Sequence, residues 1–424
     1  MRALILLLLL ACAVPANAQT VAIVHAKAWT GSGEAAVDDA TIVLRDGRVL
    51  SIAPGGSAPA GAQVIDAAGK PVTPGLFSGA TQIGLLEVTS ADDTTDEAVS
   101  TGKLGAAFDI APTLNANSLL VEQARADGIL WALTFPSGSP NPPFLGQAAL
   151  LRLQDGQILD RARAAVFVRI GGGAASNAGG SRAAEWTLLR RALDEARLMR
   201  SKKLPPADDR LFSAIDLEAL QPVIAGAVPL AIQTDRLSDI REALRVKQEY
   251  QIRVVLVGAS EAWAAAQEIA SAQVPVILDA AANLPISYDA LGARLDNALI
   301  LNRAGVEIGI TPTANYIDTN YNVGVQSRMA AGIAVANGLS YGAGIRSLTS
   351  GPAAIWSAGD RAGTIAPGKP ADIVIWDGDP LEPSSAPTTV LVGGRAVSIV
   401  TREQQLTRRY SPARTDKTWP PSYR

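Results

Sequence analysis

The chain holds one histidine, His25, and one cysteine, Cys12, in 424 residues. Each scarcity excludes chemistry. A single histidine cannot build the multi-histidine centres that catalytic zinc commonly needs. A single cysteine makes no intramolecular disulfide and no thiolate metal cluster. Charged residues make up 18% of the chain and basic runs are missing, so no nucleic-acid surface is expected. Long apolar runs are missing too. The stretch Leu4–Ala13, with Leu6 to Leu10 unbroken, is shorter than the ~20 residues that span a bilayer.

That stretch has another use. Met1-Arg2 supplies a short positive start, and Ala16-Asn17-Ala18 supplies a small-x-small cleavage pattern. Residues 1–18 are therefore expected to be a signal peptide, with a periplasmic or secreted mature chain and no membrane association after cleavage. Lipid modification of Cys12, after Leu9-Leu10-Ala11, is the competing reading. Cleavage after Ala18 would remove Arg2 and the only thiol, leaving 36 of the 37 basic side chains against 40 acidic ones. Such a chain is held by its core alone. With 48% hydrophobic residues it has enough apolar surface to build one.

Residues 19–72 read as short strands and turns. Arg45-Asp46-Gly47-Arg48 between Thr41–Leu44 and Val49–Ile52 is a hairpin signal. From residue 73 to about 362, β-type runs alternate with helical stretches. Val166–Ile170 precedes Ala183–Arg200, Pro229–Ile232 precedes Leu237–Tyr250, and Arg253–Val257 precedes Glu261–Ala272. Val274–Leu278 and Val306–Ile310 flank Leu291–Ala304. Repeated strand–helix units predict parallel strands with crossover helices. About eight such units give an α/β fold, a (β/α)8 TIM barrel, with a doubly wound open sheet as the alternative. Residues 363–400 return to β character and are expected to join residues 19–72 in one composite β-sandwich. Residues 401–424, polar and proline-bearing, read as an extended or poorly ordered C-terminal tail.

Three stretches carry a family likeness. They are Val72-Thr73-Pro74-Gly75-Leu76-Phe77, Leu348-Thr349-Ser350-Gly351-Pro352-Ala353 and Ala362–Trp376, the last containing Gly368-Lys369-Pro370-Ala371-Asp372. On these the chain resembles the amidohydrolase superfamily, imidazolonepropionase-like members in particular. The resemblance implies a barrel, hydrolysis of carbon–nitrogen bonds other than peptide bonds, and zinc or another divalent metal held largely by histidines.

The metal-ligand positions that the resemblance implies are occupied by other residues. The His-x-His pair falls on Ala80 and Gln82. Later histidines fall on Gln233 and Gly258, and the catalytic aspartate falls on Thr313. No lysine lies between Lys103 and Lys202, where a bridging carbamate would be sought. Alanine and glycine donate nothing, and neutral amide or hydroxyl oxygens bind divalent metals weakly without carboxylates. The expectation is a degenerate family member with no metal and no other cofactor.

Three functions follow. The first is a nominal metal-dependent amidohydrolase. The second is a non-catalytic protein that binds a small polar ligand at the barrel mouth, or partners a second copy or an active amidohydrolase paralogue. The third is a metal-independent hydrolase with Asp235 and Glu261 as acid and base, although either could be a loop or helix-cap carboxylate. Gln82, Gln233, Thr313 and Asn315 are the candidate binding residues. Two weaker signals complete the reading. Gly171-Gly172-Gly173 with Gly179-Gly180-Ser181-Arg182 could cradle a phosphate, and Asp92, Asp93, Asp96 and Glu97 form an acidic loop over the mouth. His25 is expected to be a hydrogen-bonded sheet residue.

Overall fold

The computed structural model describes residues 20–87, 94–282, 287–312 and 320–410. The chain begins in a β-rich unit. β1 (Thr20–Ala28), β2 (Val37–Arg45) and β3 (Arg48–Pro54) form an antiparallel meander. The turn between β2 and β3 places Asp46 and Gly47 at φ +51° and +75°. Left-handed backbone at both positions matches the twist of the strands it joins. β4 (Gln63–Asp66) and β5 (Pro71–Pro74) both run parallel to β1. His25 sits on β1, exposed, with Nδ1 3.0 Å from Asp66 Oδ1.

The barrel follows. Its strands are β6 (Leu76–Thr81), β7 (Ile129–Thr134), β8 (Phe144–Arg152), β9 (Leu159–Arg169), β10 (Leu230–Thr234), β11 (Val254–Gly258), β12 (Val276–Leu278) and β13 (Ile308–Ile310). They lie side by side in chain order. From β9 onward the strand–helix alternation holds, with helices at Arg182–Arg200, Leu237–Tyr250, Ala266–Ser271 and Asn297–Arg303. The α/β barrel expected from the sequence is present.

One strand departs from the parallel pattern. β8 runs antiparallel to both β7 and β9. The connection from β7 to β8, residues 135–143, carries four prolines. It is shorter than the dozen or more residues that a parallel return requires, so the chain can only turn back on itself.

The ring closes between β6 and β13 without a strand ladder. Ser78 Oγ and Thr311 Oγ1 are 3.1 Å apart across the seam. The free edge of β6 is satisfied by the chain leading to and following the helix Ser350–Ile355. Leu348 O accepts from Phe77 N at 2.7 Å, and Trp356 Nε1 donates to Gly79 O at 2.8 Å. Inside, Ile277 fills the space between two glycines. A Cβ on Gly79 or Gly309 would come within 2.8 or 2.6 Å of its Cδ1.

β14 (Ile373–Trp376), β15 (Pro387–Val392) and β16 (Arg395–Ala396) then return to the first sheet, where β14 pairs antiparallel with β5. The sandwich expected from both ends is built as one hydrogen-bonded sheet that forks at β1. It has its own apolar core, including Ile23, Ile42, Ile373 and Leu391. Beyond it, Arg402–Tyr410 is helical where an extended or poorly ordered tail was expected. Thr401 Oγ1 accepts from Gln404 N at 3.3 Å, and Thr-x-x-Gln is a helix-start signature. Residues 411–424 lie outside the described residues, as does the acidic-loop pair Asp92 and Asp93.

The three stretches of family likeness converge where the two sheets meet. Gly75 N donates to Asp372 O, and a Cβ on Gly75 would sit 2.6 Å from the Leu130 side chain. Asp372 is 7% exposed and accepts four hydrogen bonds. They come from Trp131 Nε1 (2.9 Å), Arg152 Nε (3.0 Å), Arg152 Nη2 (2.6 Å) and Gly393 N (2.8 Å). Gly363, at φ +83°, lies against Ser350 and Thr349 on one side and Gly31 on the other. Trp376 Nε1 donates to Thr73 Oγ1 at 2.9 Å.

Candidate active site

The C-terminal ends of β9 and β10, with the start of β8, open on a cleft of about 400 Å³. Barrel enzymes work at this face. Arg169, Glu185, Gln233, Thr234, Asp235 and Asp289 line it. A second cleft of about 490 Å³ lies at the opposite face, between Val254, where β11 starts, and Val306, just before β13. That face reads as scaffold.

Each lining side chain has a defined environment. Asp235 follows β10, and its Oδ1 accepts from Ser260 Oγ (2.6 Å) and Ser260 N (3.1 Å). Burial pushes its carboxyl up, the Ser260 bonds pull it down, and the nearby Asp289 and Glu261 add to the rise. Gln233 Oε1 accepts from Arg169 Nε at 2.9 Å. Asp289 accepts from Gly172 N at 2.6 Å and pairs with Arg182, whose Nε lies 3.6 Å from Asp239 Oδ2.

The first two amides of the glycine loop after β9 are therefore not free for a phosphate. Gly172 N is taken by Asp289, and Gly171 N donates to Glu185 Oε2 at 3.1 Å. The protein's own carboxylates occupy both.

Glu185 is fully buried in the helix Arg182–Arg200, and burial pushes its carboxyl up to about 7. The sign of the consequence is fixed by linkage. The folded chain keeps this proton to about pH 7, whereas the unfolded chain releases it near 4.5. Stability from this group is fully present below 4.5 and is lost as pH rises through 7. Glu185→Gln stays neutral throughout. The variant should gain about 2–3 kcal/mol over the parent at pH 8 and little at pH 5. Urea unfolding at the two pH values measures the difference.

Glu261 is placed differently from its sequence reading as an acid–base partner of Asp235. Its Oε2 accepts from Leu237 N (2.8 Å) and its Oε1 from Gly292 N (2.9 Å). The carboxylate closes the start of the helix Leu237–Tyr250, where Arg236 provides no side-chain cap. The cleft that Asp235 lines does not include it.

Gln82, just past β6, is 5% exposed, and its Oε1 accepts from Asn320 Nδ2 at 3.0 Å. Gln82 Nε2 is buried without a partner. Thr313 and Asn315 lie outside the described residues. Arg169, Glu185 and Asp289 were not singled out from the sequence. The one available signal was a charge inside the apolar run Val166-Phe167-Val168-Arg169-Ile170, directly before the glycines.

The side chains present can be tested against a divalent metal. Ala80 is buried and offers no donor atom. Both glutamine oxygens already accept a hydrogen bond, Gln233 from a guanidinium cation. Gly258 ends β11 at φ +86°, and a Cβ there would sit 3.0 Å from Asp235 Oδ1, so a histidine would meet both backbone strain and a filled space. Among the described residues no group of three or more His, Cys, Asp or Glu side chains could hold a metal ion. The donor set at these positions does not fit the metal.

The fold is an eight-stranded barrel with a β-rich unit built from both ends of the described chain. A family model described as "Amidohydrolase family" matches residues 311–398. The chain is 46% identical over 59 residues to the amidohydrolase tasK of Hapsidospora irregularis, a match spanning 14% of this chain and 6% of that protein. Its fold is similar to that of an amidohydrolase from Thermotoga maritima MSB8, with a TM-score of 0.79 and 20% identity over 89% of this chain and 99% of the other. Molinate hydrolase is more distant in shape, with a TM-score of 0.54 and 15% identity over 90% and 95%. The family match is confined to residues 311–398, and the likeness of the whole chain to solved amidohydrolases is one of fold.

Proposed function

We propose that this chain is a metal-free member of its family that binds a small polar ligand at the barrel mouth. One observation carries the reading. Every described position at which the family likeness implies a metal ligand holds a side chain that is missing, engaged or sterically closed. A polar cleft nevertheless persists beside them. Such a cleft with convergent polar groups is the usual form of a small-molecule site.

The nominal activity of the family, hydrolysis of non-peptide carbon–nitrogen bonds through a metal-activated water, would need ligands that these positions lack. An acid–base pair of Asp235 and Glu261 receives less support, because both Glu261 oxygens are held by backbone amides. Residues 1–18 support export to the periplasm or beyond. No described helix is long and apolar enough to cross a membrane. Assembly with a second copy or with an active paralogue is compatible with the intact scaffold, and co-purification from the native host tests it.

Elemental analysis of the purified mature protein, after dialysis against trace zinc, manganese, iron and calcium, is the direct test. The expected result is well below one metal ion per chain. Stoichiometric metal that chelators remove together with a hydrolytic activity would overturn the reading.

A further inference from the structure

Arg169 is the anomaly of the mouth. Its guanidinium is permanently charged, yet no carboxylate among the described residues lies within ion-pair distance. Nε donates to the neutral Gln233 Oε1. Nη2 is buried and bonds to nothing. Burial is the one influence on its proton affinity, which it lowers. An unpaired cation at such a place is expensive. Arg169 also lines the cleft.

The acidic neighbours do not cancel the charge. Asp289 is paired with Arg182 and bonded to Gly172 N. Glu185 is bonded to Gly171 N and keeps its proton to about pH 7. Asp235 is held by Ser260, and burial pushes its carboxyl up. Other polar atoms at the strand ends are buried and unpaired as well: Gln82 Nε2 after β6, Thr134 Oγ1 on β7 and Thr234 Oγ1 on β10. All can donate a hydrogen bond. Four neighbouring regions of one barrel end thus carry unused donors, and one of the donors is charged.

Resting on the reading of the mouth as a metal-free ligand site, we infer that Arg169 anchors the carboxylate of a small organic acid in this cleft, with Thr234 beside it. A planar carboxylate matches the free edge of a guanidinium. It would neutralise the charge that the fold leaves unpaired.

The test compares wild type with Arg169→Met, using sodium butyrate and its uncharged analogue butyramide as probes at equal ionic strength. Two results are expected. The melting temperature of wild type rises saturably with butyrate and not with butyramide, and Arg169→Met weakens butyrate binding about 10- to 100-fold. Without any ligand, Arg169→Met melts at or above the wild-type temperature, because it removes an unpaired buried charge. An arginine with a structural role would give the opposite, a clear drop in melting temperature, and that drop would overturn the proposal. Equal responses of the two proteins to butyrate, or none from wild type, would overturn it too. Metal content is measured on the same samples. Stoichiometric metal sinks the underlying reading, whereas a metal-free protein that ignores butyrate sinks only the carboxylate site.

Discussion

Gly363→Ala yields little or no folded protein. The backbone at Gly363 is left-handed, at φ +83°, and the new methyl would lie 2.7 Å from both Ser350 Cα and Thr349 O. These are backbone atoms and cannot rotate away. The other side is close as well: Gly31 packs so near Gly363 O that a Cβ on it would lie 2.2 Å away. The left-handed conformation alone costs about 1 kcal/mol for alanine. Forcing apart two packed backbones adds more, and a loss above about 4 kcal/mol is expected. Soluble yield, far-ultraviolet circular dichroism and limited proteolysis read the outcome. A well-folded Gly363→Ala protein with near-parental stability would refute the close approach.

Asp372→Ala unfolds at markedly lower urea concentration. The substitution leaves Arg152, Trp131 Nε1 and Gly393 N without their shared acceptor at the junction of the two sheets. Removing one partner of a buried charge pair costs about 3–5 kcal/mol, since the other is left uncompensated. The guanidinium also lies 5.8 Å from the Trp131 ring centroid, an attraction that survives the substitution. The paired change Asp372→Leu with Arg152→Met leaves no uncompensated charge, so it should lose less than the summed losses of Asp372→Leu and Arg152→Met made singly. A double-mutant cycle in urea supplies that comparison. Additive losses would mean that the pair contributes nothing as a pair.

These two sites explain which parts of the molecule were legible in the sequence. Gly75, Gly363 and Asp372 belong to the stretches of family likeness, and each is held to its residue type by backbone contact or a filled hydrogen-bond network at the junction. Packing of this kind leaves a local pattern, so the barrel and its β-rich companion could be expected. β8 left none. It is buried on both faces for eight of its nine residues, and an apolar run carries no mark of strand direction. The mouth was harder still. Arg169, Glu185, Asp235 and Asp289 are brought together across some 120 residues by loops that the fold positions. Glu261 was read as the start of its own helix, whereas its carboxylate closes a helix beginning 24 residues earlier. Proximity in sequence misled there, because capping was satisfied through space.

The β-rich unit has a consequence for how the chain must be made. β5 ends at Pro74, and its partner β14 begins at Ile373. A ribosome therefore releases the first strands of this sheet long before it has synthesised the strands that complete it. Throughout that interval the Val72 edge of β5 lacks its neighbour, and the barrel between them can close only with the later chain from Leu348 to Trp356 in place. Completion of this sheet thus waits until the residues of β14 have been made.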